Sequence, residues 1–279
     1  MASSDKGKSA VSAQAETSPD GLGAPVARVE LSGMTIHNVT REEVFALIEE
    51  RIAKRQPGYI VTPNVNHLCR YQRDAEFREA YRKSFLVLAD GVPLLWASRL
   101  LGTPLREKLS GSDLVVWLPE RFADKGRSFF LLGAAEGVAD AAAKELRRRH
   151  PNIVIAGTYS PPMGFENDPA EVAETARRVR EARPDFCFVA FGVPKQELWM
   201  REHCQTCGVP VMLGIGASLD FLAGTLKRAP RWMQRVGLEW VWRIGSEPRR
   251  LLGRYLADGC VFLSLLWRAF RKRRACRPT

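Results

Sequence analysis

The chain has 279 residues, 46% of them hydrophobic, which is enough for one large core or two coupled halves. No run of about 20 apolar residues occurs, which excludes a helix spanning a bilayer, and the N-terminus lacks the apolar centre of a secretory signal. The net charge of +11 sits wholly at one end: residues 227–279 hold 14 Lys and Arg against 3 Asp and Glu, whereas residues 1–226 hold 28 of each.

In chain order, residues 1–27 read as a disordered lead-in rich in Ser, Ala and Gly. Residues 28–39 read as a strand or hairpin and 40–55 as a helix, with Thr40 as N-cap and Glu43 closing a capping box. Residues 58–64 form a strand that runs into a polar turn. One helix is expected over 67–84, a strand over 85–91, a short helix through "VPLLWASRLLG", and a helix over 111–126 capped by Ser112. The second half keeps this rhythm. Strand, glycine turn and helix occupy 128–151; strand and loop, 152–165; a helix, 169–184; strand, turn and helix, 185–208; and a strand with a glycine-rich turn, 209–224.

Strands alternating with helices imply right-handed crossovers. The fold class expected is α/β: a doubly wound, mostly parallel Rossmann-like sheet with helices on both faces. This core covers 28–226. A basic helical C-terminal appendage follows over 227–279, with two or three helices broken at Gly245, Pro248 and Gly259. Four of the seven Trp lie there, at 232, 240, 242 and 267. Excess charge gathered with aromatics favours an anionic partner over a merely solvated face. The apolar stretch "CVFLSLLW" at 260–267 reads either as a core-packing stripe or as the apolar face of an interfacial helix.

In open parallel sheets, ligands bind beyond the carboxyl ends of the strands. Here those ends carry Thr62 and Asn64 with Asn66, then Asp90-Gly91, Gly133, Gly192 with Gln196, and Gly214-Ile215-Gly216 leading to Asp220. Each is weak alone; Asp-Gly is commonly only a turn. Together they point to a nucleotide-type ligand. Gly133, Gly192 and Gly214 would let phosphate oxygens approach backbone N–H groups at helix starts, and Asp220 could accept hydrogen bonds from ribose hydroxyls.

Several classes lack their marks. "GAAEG" is not the nicotinamide fingerprint GxGxxG, and GxxxxGK[ST] is absent. No Asp-x-Asp occurs and the four His form no spaced ligand set, so no metal is expected. Cys204-Gln205-Thr206-Cys207 has CxxC spacing without a second pair to complete four zinc ligands. The six cysteines read as structural thiols, reduced in a cytoplasmic protein.

The strings "TPNVNH", "LADGVPLLWASRLLG", "SGSDL", "FFLLGAAEGVA", "FGVPKQELW" and "GIGASLDFLAGTLKRAPRWMQRVGLEWVWRIGSEPRR" resemble, in unbroken order over about 28–255, the WecG/TagA/CpsF glycosyltransferase family. The resemblance implies an inverting, metal-independent transferase with no cofactor. It would move a hexose, most often N-acetylmannosamine, from a UDP-sugar to a polyprenyl-diphosphate-linked sugar. Such products feed teichoic acid, common antigen or exopolysaccharide assembly. Carried over residue by residue, Asp90 matches the catalytic base and Thr62 and Asn64 the polar pair beside it. Gln196 matches the glutamine of the PKQE string, and Asp220 the donor-side carboxylate. Arg243, Arg250 and Arg254 fall among the basic residues of the family's appendage. Lys108 departs from the pattern, which has Arg after Glu; the charge is kept but the bidentate fork is lost.

The partners expected are thus the UDP-sugar donor, the lipid-linked acceptor and an anionic membrane surface, with the protein peripheral at the inner face of the cell membrane. Six basic residues over 268–279, beside Trp267 and Phe270, suit that surface. A homo-oligomer is left open. The alternatives are the same fold using UDP-glucose or another UDP-hexose and, remotely, a nucleic-acid-binding module acting through the tail.

Overall fold

A computed structural model describes the backbone of residues 26–235, 238–246 and 248–275. It describes the side chains of the same stretches apart from 231, 235, 243, 246, 248–252, 254, 255 and 272–275. A hairpin of β1 (Arg28–Leu31) and β2 (Met34–His37) opens the chain, followed by α1 (Arg41–Ala53) and β3 (Tyr59–Val61). Next come α2 (Val65–Arg73), α3 (Ala75–Arg82), β4 (Leu86–Val87), α4 (Val92–Leu100) and α5 (Gly111–Phe122). The second half is β5 (Ser128–Gly133), α6 (Val138–Arg149), β6 (Val154–Tyr159), α7 (Pro169–Ala182), β7 (Phe186–Ala190), α8 (Lys195–Cys207), β8 (Val211–Gly214) and α9 (Ser218–Ala223). Three helices close the chain: α10 (Arg231–Arg235), α11 (Glu239–Ser246) and α12 (Pro248–Ala275).

Six strands form one parallel sheet in the order β4-β3-β8-β7-β5-β6. Strand alternation sorts its side chains onto two faces. Phe129, Leu131, Phe186, Phe188, Val211 and Leu213 pack under α1, α5, α6 and α9. Phe130, Leu132, Cys187, Val189 and Met212 pack under α2, α3, α4, α7, α8 and the hairpin. The helix after β8 therefore lies on one face and the helices after β3 and β7 on the other. These reversals open the crevice at the carboxyl edge where such sheets take ligands.

The doubly wound sheet and the Thr40–Glu43 capping box are as expected: Thr40 N–H donates to Glu43 at 2.8 Å, and Glu43 N–H to Thr40 Oγ1 at 3.4 Å. Three local expectations are corrected. Residues 67–84 are two helices, because Asp74 takes an extended conformation and its carboxylate accepts from Phe77 N–H at 3.0 Å, capping α3. Ser110, not Ser112, caps α5, its hydroxyl accepting from Asp113 N–H at 3.1 Å. Gly259 does not break the tail: α12 runs through it. A mid-helix glycine costs only about 1 kcal/mol against alanine, and Phe262, Leu265 and Leu266, packed on the α2 face of the sheet, outweigh that. The "CVFLSLLW" stretch packs on one side, through Phe262, Leu265 and Leu266, as the core-packing reading expects, and leaves Leu263 and Trp267 67% and 60% exposed on the other.

Candidate active site

Thr62 follows β3 and is buried. A side chain added at Gly111 would lie 3.2 Å from both Thr62 Oγ1 and the Gly214 carbonyl, so glycine lets the start of α5 sit tightly on the ends of β3 and β8. Asn64 is the N-cap of α2: its side-chain oxygen accepts from Asn66 N–H at 3.0 Å and His67 N–H at 3.3 Å. Between them, Pro63 offers its carbonyl to Asp90 N–H at 2.8 Å. That bond joins the β3 and β4 exits and sets Asp90, half-buried, on the rim beside Asn64. Gly91, at φ +110°, then turns the chain into α4.

Behind Asp90 lies a buried aromatic and polar layer. Tyr81 Oη and His67 Nδ1 are 3.1 Å apart, and Phe77 packs edge-on against His67. Burial pushes the Tyr81 phenol far above its ordinary value, with the Glu197 and Asp90 carboxylates adding to the shift.

Lys108 is engaged within the protein. Its ammonium donates to Asp113 at 2.7 Å, as do the Ser110 hydroxyl at 2.7 Å and, on the other oxygen, Arg228 at 2.7 Å. Arg228 also donates to the Ser112 carbonyl at 3.1 Å and reaches Glu239 at 3.4 Å. Burial alone would raise the Asp113 pKa; Lys108, Ser110 and Arg228 outweigh it and hold the carboxyl below the usual range. The motif Ser110-x-x-Asp113 could have signalled Asp113 as a capping residue. No local signal marks Arg228.

Gln196, at the start of α8, is buried and bridges two rim segments. Its carbonyl oxygen accepts from Gly216 N–H at 3.0 Å and its amide donates to Glu197 at 2.9 Å. Glu197 is fully buried, and burial pushes its carboxyl up to about 7 despite the Gln196 bond. Asp220, on α9, accepts from Thr225 Oγ1 through its carbonyl at 3.1 Å and its carboxylate at 3.4 Å, closing the turn into the appendage.

The rim glycines divide. A side chain at Gly133, already at φ +99°, would strike Ala190 backbone atoms at 2.9 Å, whereas one at Gly214 would meet the end of the Gln196 side chain at 2.9 Å and push it aside. Gly192 (φ +74°) and Gly216 (φ +53°) face open space. Four helices that start on this rim, α4, α6, α8 and α9, have no side-chain cap. By contrast α1, α2, α3, α5 and α7 are capped by Thr40, Asn64, Asp74, Ser110 and Asp168. At each of the four starts one N–H turns back onto a backbone carbonyl (Leu94 to Gly91, Val138 to Ala135, Gln196 to Gly192, Ser218 to Ile215), and the positive end of a helix dipole favours negative charge. Arg243, Arg250 and Arg254 fall within α11 and α12, but their side chains lie outside the described residues. Among the described residues, no three His, Cys, Asp or Glu cluster as metal ligands, and no helix is long and apolar enough to cross a membrane.

The structure is a doubly wound α/β sheet whose polar residues and uncapped helix starts share the carboxyl rim, the edge where sheets of this class bind ligands. The chain belongs to the glycosyl transferase WecG/TagA/CpsF family, whose sequence pattern matches residues 29–276, and it is a glycosyltransferase. It is similar to the N-acetylglucosaminyldiphosphoundecaprenol N-acetyl-beta-D-mannosaminyltransferase of Staphylococcus aureus (strain MW2), with 30% identity over 251 residues, 88% of this chain and 94% of that one. The enzyme of the same name from Bacillus spizizenii is 32% identical over 193 residues, 69% of this chain and 73% of its own.

Proposed function

We propose that this chain transfers N-acetylmannosamine from a UDP-linked donor to a polyprenyl-diphosphate-linked N-acetylglucosamine, with inversion and without a metal. The observation that carries this reading is Asp90, half-buried and held by its backbone to Pro63 at the carboxyl rim where uncapped helices start. The similarity to transferases named for that sugar and that lipid-linked acceptor supports the choice of substrates.

In this reading Asp90 accepts the proton of the acceptor hydroxyl as its oxygen attacks the donor's anomeric carbon. The new glycosidic C–O bond forms as the bond to the UDP oxygen breaks, and the proton remains on Asp90. General-base catalysis of this kind is typically worth about 10²–10⁴-fold. The departing UDP gathers negative charge. The starts of α8 and α9, which have no side-chain cap, and the open space at Gly192 suit that charge. Arg243, Arg250 and Arg254 are proposed to add positive charge from the appendage. Thr62 shapes the floor, Gln196 fixes the Gly216 turn, and Asp220 is proposed to meet the donor ribose. The lack of any Asp-x-Asp pair favours metal independence. The outer side of α12, with Leu256, Leu263 and Trp267 exposed beside Arg268 and Arg271, suits peripheral contact with an anionic membrane carrying the acceptor.

The test is a donor panel in EDTA. A short-chain polyprenyl-diphosphate-linked N-acetylglucosamine is incubated with each UDP-sugar, using wild type and Asp90→Asn. UDP release is expected with UDP-N-acetylmannosamine, falling at least 10²-fold in the variant. Release that requires added metal, or that survives in Asp90→Asn, refutes the mechanism. Release with another hexose alone refutes the donor.

A further inference from the structure

The 28-residue helix α12 contains a single acidic residue, Asp258, and it is buried at 5% exposure. Its carboxylate accepts from Asn66 Nδ2 at 2.7 Å, and its backbone carbonyl accepts from the Cys69 thiol at 3.4 Å. Both partners lie on α2. Asn66 is also the residue whose backbone N–H is held by the Asn64 cap, and Asn64 adjoins Pro63, whose carbonyl fixes Asp90 N–H. A short hydrogen-bonded path thus runs from the appendage to the rim: Asp258 to Asn66, Asn66 to Asn64, and Pro63 to Asp90. Phe262, Leu265 and Leu266 seat the same side of α12 in the core.

A carboxylate in such a place is costly to bury unless it is well paired. An apolar residue would seat the helix without that cost. What Asp258 adds is direction: it accepts from one amide, on the first turn of the helix that leaves the rim.

We propose that Asp258 is a positioning residue for the transfer reaction, locking α12 to the first turn of α2 so that seating of the appendage sets the Asn64–Pro63–Asp90 edge. This rests on the reading of Asp90 as the base. When α12 is seated, Cys69 is buried beneath it, and burial, with the Asp258 carboxylate adding to it, pushes the thiol up to about 11. Cys69 is therefore unreactive while the lock is closed, and exposed Cys260 on α12 serves as an internal reference.

The experiment compares wild type, Asp258→Ala and Asp258→Asn as full chains. Three quantities are read: N-ethylmaleimide labelling of Cys69 relative to Cys260 by peptide mass spectrometry, amide exchange of the segment 86–91, and kcat and KM with UDP-N-acetylmannosamine. In Asp258→Ala, Cys69 labelling and exchange over 86–91 should each accelerate about tenfold or more, and kcat should fall by a similar factor, as expected for loss of one buried hydrogen-bond partner. The donor KM should stay within about twofold, since the variant disturbs Asp90 rather than the donor cradle. Asp258→Asn keeps an acceptor oxygen for Asn66 and should recover all three. Unchanged Cys69 labelling in Asp258→Ala overturns the lock. Faster labelling with unchanged exchange over 86–91 overturns the coupling to Asp90. Failure of Asp258→Asn to recover shows that the charge, not the hydrogen bond, matters, which also overturns it. If wild type does not turn over this donor, the functional reading fails, while labelling and exchange still decide the lock.

Discussion

Arg228 and Asp113 are 115 residues apart in sequence and 2.7 Å apart in space. The pair ties the first residues beyond the sheet to the start of α5, and Asp113 holds Lys108 with its other oxygen. Burial would lower the Arg228 pKa, but Asp113 and Glu239 overcome it and raise the guanidinium above its ordinary value. Removing Arg228 leaves Asp113 with Lys108 and Ser110 but without its second charged partner. Arg228→Ala should therefore cost about 2 kcal/mol, and the loss in the double variant with Asp113→Ala should be less than the sum of the two single losses. Urea unfolding of the two single variants and the double variant checks this; strictly additive losses would refute the pairing.

Glu197 makes stability depend on pH. Its folded pKa, about 7, lies above the ordinary 4.5, so its neutral form is the one the fold prefers. Its contribution is complete below pH 4.5. It is lost between 4.5 and 7, as the unfolded chain ionises first, and the deficit is constant above 7. Glu197→Gln removes this dependence. The variant should match wild type at pH 4 and exceed it at pH 8 by on the order of 3 kcal/mol. Thermal melts at the two pH values decide, and a stability gain equal at both would be inconsistent with a neutral buried carboxyl.

Gly133→Ala tests whether that glycine is there for packing. At φ +99°, with Ala190 backbone atoms 2.9 Å from the added carbon, the substitution should destabilise by about 1–3 kcal/mol. Gly192→Ala adds carbon into open space and strains only its own backbone. Chemical denaturation should rank Gly133→Ala as the more damaging of the two.

The outer side of α12 should bind vesicles containing phosphatidylglycerol and not neutral ones. Arg271 stacks on Trp267 at 4.6 Å, which places charge and ring together. Each basic residue near an anionic surface contributes about 1 kcal/mol, and salt screens it. Trp267→Ala should weaken co-sedimentation several-fold, and raising ionic strength should release wild type. Binding indifferent to both lipid charge and salt would count against this surface.

The alternating pattern announced the sheet because fully buried parallel strands such as 128–133 and 186–190 read as apolar runs between amphipathic helices. Thr62, Asn64 and Asp90 were legible for the same reason, because each sits within three residues of the end of one of those runs, whereas Gln196 and Asp220 lie on the helices that follow. Long-range pairing was not. Nothing within a helix of its neighbours distinguishes Arg228 from the other arginines of the tail, and Asp258 looks like a lone solvated acid until α2 is placed beneath it. Asn64 read as a ligand-facing group, and its side-chain oxygen proves to be the cap of α2. Asp74 hid a helix break because a one-residue joint barely disturbs the apolar rhythm.

The bare starts of α4, α6, α8 and α9 carry a practical consequence. Helix ends of this kind accept small oxyanions as readily as they accept a diphosphate. In the proposed reading, inorganic phosphate, pyrophosphate and sulfate would compete with the donor rather than act as inert buffer ions. The choice of assay salt would then enter the apparent KM of the donor, and inhibition by sulfate that grows as the donor is lowered is the outcome expected.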